Sequence, residues 1–130
     1  MDEELLSGKR ALVIEDEMLV LMQIEDMLGD LGCRSIAVAG NVETALECIA
    51  ANKFDLATLD VNLDGTKSYA VAEALEEEHI PFAFATGYGE KGVDEGYGDH
   101  PVLNKPFTHF QFERVVSDLL VDGPPPALAA

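Results

Sequence analysis

The 130-residue sequence contains no tryptophan and only two cysteines, Cys33 and Cys48. These cysteines form no CxxC pair and lie in apolar or helical stretches, so we expect reduced packing residues. No segment approaches about 18 uninterrupted apolar residues, which argues against a membrane span. The acidic start at Met1 is followed by no long apolar run, so we expect no signal peptide and a cytoplasmic protein.

Basic residues are also scarce in this chain. Lysine and arginine number 8 against 25 aspartates and glutamates, and the formal net charge is −17. Such a charge repels phosphate backbones, so we expect no nucleic acid partner. It suits a cation ligand or a basic protein surface instead.

The length predicts one domain with one hydrophobic core. We place that domain at residues 1–121. Residues 122–130, with three consecutive prolines, predict a flexible tail rich in proline and alanine. With no effector domain after residue 121, we expect the output to come through protein contacts, from a monomer or a weak dimer.

Short apolar runs alternate with longer amphipathic ones along the chain. The run Ala11–Ile14 is continuous and apolar, which is typical of a strand buried on both faces of a parallel sheet. Four more runs predict strands at residues 35–38, 54–60, 82–86 and 101–104. Helical spacing predicts helices at residues 20–31, 41–52, 69–79 and 108–120, the last packed on the sheet through Phe107 and Phe110.

A further helix, at Gly87–Gly98, is predicted to be weak. This segment holds five glycines, and each glycine in a helix interior costs about 1 kcal/mol relative to alanine. Five strands alternating with five helices predict a doubly wound α/β sheet with right-handed crossovers. In such sheets the functional site lies at the carboxyl ends of the strands.

Polar side chains follow the predicted strands at that edge. The set consists of three acids, a hydroxyl and a lysine: Glu15, Asp16, Asp60, Thr86 and Lys105. Three carboxylates close together repel each other, so some of their pKa values should be raised unless a cation is bound. Hard oxygen ligands at this density suit Mg²⁺ (or Mn²⁺).

This set also has the groups needed for phosphoryl transfer. A carboxylate can act as nucleophile toward a phosphoryl donor, and Asp60 is the best candidate because it ends the central strand. A cation and the Lys105 ammonium would stabilise the charge on the transferring group. The Thr86 hydroxyl can hydrogen-bond to a phosphate oxygen.

Over roughly residues 8–121 the chain resembles the receiver domain of two-component response regulators. The resemblance implies a flavodoxin-like (βα)5 fold, with a five-stranded parallel sheet in the order 2-1-3-4-5. It implies a phosphoacceptor that catalyses only its own phosphorylation and dephosphorylation, served by a histidine kinase or a histidine phosphotransfer protein. The matching positions are the acidic pair Glu15-Asp16, the phosphoacceptor Asp60, the metal-binding backbone carbonyl of Asn62, the switch hydroxyl Thr86 and the signature Lys105-Pro106-Phe107, where a cis bond before proline is common.

The switch residues depart from the family pattern. Val102 stands where many receivers carry a tyrosine or phenylalanine, and Tyr88 is the candidate to take over that aromatic role. The run Pro81–Tyr88 is similar to the "FATGUY" subgroup. Members of that subgroup are often single-domain regulators that work beside histidine kinases of the HWE/HisKA2 type.

Two other motifs point to different functions. Gly87–Gly92 matches GxGxxG, but it follows the fourth strand, whereas a dinucleotide fingerprint belongs in the first βα turn. Asn62–Thr66 resembles the DxDGT motif of haloacid-dehalogenase-type phosphatases, but its nucleophile position holds Asn62, which cannot attack. A small phosphatase is therefore the remote alternative. A phosphate sink or kinase brake without conformational output is the nearer one.

Two apolar residues of the first helix lie off its core stripe. Leu19 and Met22 follow the acidic pair closely, and we expect them to form part of a docking surface for a kinase or a phosphotransfer helix pair. The opposing interpretation is partial burial in the core.

Overall fold

The computed structural model describes residues 4–87 and 100–122. Its centre is a five-stranded parallel sheet in the order β2-β1-β3-β6-β7. A separate pair of short antiparallel strands, β4 and β5, lies between β3 and the third helix. The strands are β1 (Arg10–Ile14), β2 (Ser35–Ala39), β3 (Leu56–Asp60), β4 (Asn62–Leu63), β5 (Thr66–Lys67), β6 (Phe82–Thr86) and β7 (Val102–Asn104). The helices of the described ranges are α1 (Met18–Asp30), α2 (Val42–Ala51), α3 (Tyr69–Glu77) and α4 (His109–Asp122).

Helices cover both faces of the sheet, so its central strands are buried on both sides. Every residue of β3 and β6 is buried. Because side chains alternate across a strand, Leu12 of β1 packs toward α2 and α3, whereas Val13 packs toward α1 and α4. This double burial explains why these strands are continuous apolar runs.

Local sequence signals set the helix ends. The Asn41 side chain accepts the Thr44 N–H at 2.8 Å and caps α2. Thr108 and Gln111 exchange hydrogen bonds at the start of α4, from the Gln111 N–H to the Thr108 hydroxyl and from the Thr108 N–H to the Gln111 side chain. After α1 the chain turns at Gly32, whose φ of +96° favours glycine.

The fold predicted from the sequence is confirmed, including the strand order, since β6 and β7 are the predicted fourth and fifth strands. The predicted weak helix at Gly87–Gly98 lies, apart from Gly87, outside the described residues, as does the tail after Asp122. The Lys105–Pro106 peptide bond is cis, as the resemblance implied. Neither cysteine is in a disulfide, and Cys33 is buried in the core. No helix in the described part of the chain is long and apolar enough to cross a membrane.

Two features of the fold differ from the prediction. Phe107 packs in the core, but Phe110 is 73% exposed, because it is two residues from the buried Phe112 and therefore lies on the opposite face of α4. The run read as a phosphatase-like motif is the β4–β5 hairpin, which was not predicted. Its turn residues Asp64 and Gly65 have φ of 51° and 80°, the left-handed pair that a two-residue hairpin turn requires.

Candidate functional site

The parallel register brings the strand-end residues to one edge of the sheet. Ile14 is paired with Leu59, so Glu15 follows β1 beside Asp60, the last residue of β3. Asp60 is paired with Ala85, which places Thr86 one position further along the neighbouring strand.

The position of Lys105 follows from the next strand pair. Thr86 is paired with Asn104, and Lys105 comes directly after β7. The Lys105 backbone N–H donates to the Thr86 carbonyl at 2.9 Å. This hydrogen bond fixes the backbone from which the lysine side chain reaches back across the edge.

The Lys105 ammonium lies among three carboxylates. Its Nζ is 2.9 Å from Glu15 Oε1, 3.2 Å from Asp60 Oδ2 and 3.5 Å from Glu17 Oε1. The lysine side chain is mostly buried, so these contacts are only partly screened by water. Burial alone would lower the Lys105 pKa, but the contacts with Glu15 and Asp60 outweigh it and raise that pKa.

Glu15 is the most unusual acid of the site. Its side chain is 1% exposed and lies close to Asp60. Burial is the largest cause that raises its pKa, to about 7, and Asp60 adds to the rise while Lys105 opposes it. A raised pKa was expected from carboxylate crowding alone, but at Glu15 burial contributes more to the rise than Asp60 does.

Both carboxylate oxygens of Asp60 have hydrogen-bond donors. The Asn62 backbone N–H donates to Oδ1 at 3.2 Å, and Lys105 Nζ donates to Oδ2 at 3.2 Å. The Asp60 backbone carbonyl accepts from the Ser68 hydroxyl at 2.6 Å. Ser68 is fully buried and follows the β4–β5 hairpin, so it anchors the far end of the hairpin to Asp60.

The acids form a group whose chemistry fits a divalent cation. One carboxylate oxygen from each of Glu15, Asp16, Glu17 and Asp60 lies within 4.8 Å of the others. Two ligands on opposite sides of Mg²⁺ are separated by about 4.2 Å, twice the usual 2.0–2.1 Å bond length, so small side-chain movements would suffice. Asp16 also accepts the Asp64 N–H at 2.9 Å, which ties the hairpin to this group.

The structure brings together four of the residues predicted from the sequence: Glu15, Asp16, Asp60 and Lys105. Thr86 is buried at the same edge. The backbone N–H of Asn62 is at the site, and the metal-binding role of its carbonyl stays a prediction. Tyr88 lies outside the described residues.

The two residues expected in a docking surface are both exposed. Leu19 is 82% exposed and Met22 is 53% exposed. Leu19 therefore lies outside the core, whereas Met22 is partly covered, and the docking role of both stays a prediction.

Sequence reasoning missed two residues of the site. Glu17 directly follows the predicted acidic pair, and this third adjacent acid was a signal that could have been used. Ser68 is eight positions from Asp60 on the far side of an unpredicted hairpin, and no sequence signal pointed to it.

Comparison with protein families gives one match that covers most of the chain. The family model described as "Response regulator receiver domain" matches residues 11–116. Two solved structures are also similar over nearly the whole chain. SdrG from Sphingomonas melonis Fr1 is 42% identical with a TM-score of 0.79, covering 86% of this chain and 96% of SdrG. The receiver domain of the PhyR response regulator from Erythrobacter litoralis is 30% identical with a TM-score of 0.80, covering 92% of this chain and 95% of that domain.

Curated relatives match with lower identity. The transcriptional regulatory protein PdtaR of Mycobacterium tuberculosis is 27% identical over 123 residues, which are 92% of this chain and 57% of PdtaR. A protein-glutamate methylesterase/protein-glutamine glutaminase of Natronomonas pharaonis is 26% identical over 68% of this chain and 25% of that enzyme. The chain thus spans well under two thirds of the length of these two relatives.

Proposed function

Because this chain belongs to the response regulator receiver domain family, we propose that it accepts a phosphoryl group on Asp60 from a phosphohistidine of a kinase or phosphotransfer protein. The reaction depends on a divalent cation, and the product acts through protein contacts. One observation carries this proposal. At the carboxyl edge of the sheet, the buried Asp60 carboxylate lies 3.2 Å from the Lys105 ammonium and beside the acids that follow β1.

The transfer requires one bond to form and one to break. A carboxylate oxygen of Asp60 attacks phosphorus while the phosphorus–nitrogen bond of the donor breaks, and the imidazole nitrogen keeps the electron pair. Lys105 is already at the attacking carboxylate, so its ammonium can stabilise the negative charge of the transferring oxygens. The Thr86 hydroxyl, on the next strand, would donate a hydrogen bond to a phosphoryl oxygen and so report its presence.

Glu15, Asp16, Asp60 and the Asn62 carbonyl would hold the cation. Bound there, Mg²⁺ or Mn²⁺ supplies positive charge that neutralises the phosphoryl oxygens and the crowded carboxylates. The geometry supports this assignment, because one carboxylate oxygen from each of these three acids lies within 4.8 Å of the others. Burial and the neighbouring Asp60 raise the pKa of Glu15, and a cation bound there would favour its ionised form.

Similar proteins support an activated state of this kind. SdrG has a solution structure in a BeF3-activated conformation. That protein is 41% identical to this chain, and the match covers 88% of this chain and 98% of SdrG. We assign the chain to the FATGUY subgroup on the run Pro81–Tyr88, and its donor accordingly to the HWE/HisKA2 type. In this assignment Tyr88 replaces the switch aromatic that is missing at Val102.

The first turns of α1 are the proposed docking surface for the phosphohistidine donor. Leu19 and Met22 are exposed apolar side chains, and Glu17, directly before α1, contacts Lys105. A donor helix pair bound to this surface would therefore hold its histidine next to the site. A helical partner fits because apolar side chains three residues apart form one patch on a helix.

The central proposal is tested with acetyl phosphate and Mg²⁺, followed by intact mass measurement. The wild-type protein should gain the mass of one phosphoryl group. Asp60→Asn should gain none, and Asp118→Asn, which changes an exposed acid of α4, should behave like the wild type. An adduct of equal yield in Asp60→Asn would refute the proposal.

The docking surface is tested by separating the donor protein from the chemistry. Met22→Glu should slow transfer from a phosphorylated histidine kinase or phosphotransfer protein, but leave the rate with acetyl phosphate unchanged. An unchanged rate with the protein donor would rule out this surface.

A further inference from the structure

The side chain of Glu17 has no structural task in the described part of the chain that would explain its position. Glu17 is the N-cap residue of α1, but its carboxylate does not cap the helix. Its backbone N–H donates to Glu15 Oε2 at 3.2 Å. The side chain is 64% exposed, and yet its Oε1 lies 3.5 Å from Lys105 Nζ.

The Lys105 ammonium donates one hydrogen bond, to Asp60 Oδ2, and forms ion pairs with Glu15 and Glu17. A lysine ammonium has three N–H donors and no acceptor. Three carboxylates surround it, those of Glu15, Asp60 and Glu17. A phosphoryl oxygen that approaches Lys105 therefore competes with these carboxylates for the positive charge of the ammonium.

Of the three ion pairs of Lys105, the one with Glu17 is the most easily broken. Its contact with Nζ, at 3.5 Å, is the longest of the three. Glu15 and Asp60 are buried and held by backbone N–H groups, whereas Glu17 is exposed and water can replace its partner. An exposed ion pair of this kind contributes little to stability.

We propose that Glu17 is a positioning residue that competes with the incoming phosphoryl group for Lys105, and so slows the phosphorylation of Asp60. This inference rests on the proposed function of Asp60. The negative charge of Glu17 acts in two opposite ways, because it repels the phosphoryl donor and attracts the divalent cation. Removing the charge should speed phosphoryl uptake and weaken cation binding, each on the order of fivefold at moderate ionic strength.

The two effects are measured separately. Isothermal titration with Mg²⁺ gives the cation affinity without any phosphoryl chemistry. Intact mass against time, with acetyl phosphate and saturating Mg²⁺ for each variant, gives the uptake rate. Glu17→Gln should raise the uptake rate and raise the Mg²⁺ dissociation constant.

Two further variants separate position from charge. Glu17→Asp keeps the charge but shortens the side chain by one methylene, so it should bind Mg²⁺ as the wild type does while taking up phosphate about twofold faster or more. Glu47→Gln, at an exposed acid of α2, makes the same net charge change away from the site and should alter neither quantity.

The outcomes distinguish this inference from the proposed function. If the wild type forms no adduct, both fail. If the wild type forms an adduct but Glu17→Gln takes up phosphate no faster than the wild type at saturating Mg²⁺, only the role of Glu17 is overturned. Faster uptake in Glu17→Gln with wild-type rates in Glu47→Gln supports it.

Discussion

The buried carboxyl group of Glu15 should make the stability of the metal-free protein fall as pH rises. Its pKa is raised from 4.5 to about 7 in the folded protein, chiefly by burial. Between these two values the folded state keeps a proton that the unfolded state has lost. The free energy of unfolding therefore decreases across this pH range, and the full penalty is present above pH 7.

The size of the penalty follows from the pKa shift. A shift of about 2.5 pKa units corresponds to about 3 kcal/mol, since each unit is worth 1.36 kcal/mol. Glu15→Gln removes the charge and keeps nearly the same shape. In the presence of a chelator we expect this variant to be more stable than the wild type by up to about 3 kcal/mol at pH 8, and by less than about 1 kcal/mol at pH 5.

Urea unfolding at the two pH values measures this difference directly. Glu47→Gln, which changes an exposed acid of α2, serves as the control and should match the wild type at both pH values. Millimolar Mg²⁺ should then stabilise the wild type much more than Glu15→Gln, because a ligand stabilises only the state that binds it. If the stability difference between Glu15→Gln and the wild type does not increase from pH 5 to pH 8, the reasoning is refuted.

Three further substitutions test the framework of the site. Gly32→Ala should lower the free energy of unfolding by about 1–3 kcal/mol, because φ is +96° and the new Cβ would clash with the Glu4 side chain. Gly29→Ala, which has open space in α1, should be neutral or stabilising, and equal losses in the two variants would contradict this reasoning. Ser68→Ala should cost about 1–3 kcal/mol and slow phosphorylation, because it leaves the buried Asp60 carbonyl without its 2.6 Å donor; an unchanged rate would show that Ser68 does not position the nucleophile. Thr108→Ala should cost about 1 kcal/mol in thermal or urea unfolding through the lost cap of α4, with no effect on the phosphorylation rate at saturating Mg²⁺.

The positions of the main site residues were predictable because they depend on backbone geometry. Buried parallel strands appear in the sequence as continuous apolar runs, and their carboxyl ends must meet at one edge. Glu15, Asp60 and Lys105 could therefore be placed together although they are far apart in the chain. The strand register then sets their neighbours, as in the pairing of Ile14 with Leu59.

What could not be predicted depends on side-chain reach and on short-range turn chemistry. The contact of Glu17 with Lys105 arises from two flexible side chains, and no sequence period encodes where their ends meet. The Asp64-Gly65 hairpin was missed for a different reason. Its dipeptide is a strong turn signal, but the same residues also fit the DxDGT pattern, so the local sequence is compatible with two interpretations. Phe110 shows that an aromatic side chain is not a core residue when the helix period places it opposite the buried face.

The energetics of the site favour a functional interpretation of Glu15 over a structural one. A domain of this size is stabilised by about 5–15 kcal/mol, so a penalty near 3 kcal/mol at neutral pH is a large fraction of the total. A glutamine at the same position would avoid it while keeping an acceptor for the Glu17 N–H. Stability therefore does not explain a carboxylate at this position. A bound cation would favour the ionised carboxylate, and the buried charge would then contribute to the free energy of cation binding. If Glu15→Gln is both more stable and unable to bind Mg²⁺, the protein gives up stability at this residue for its function.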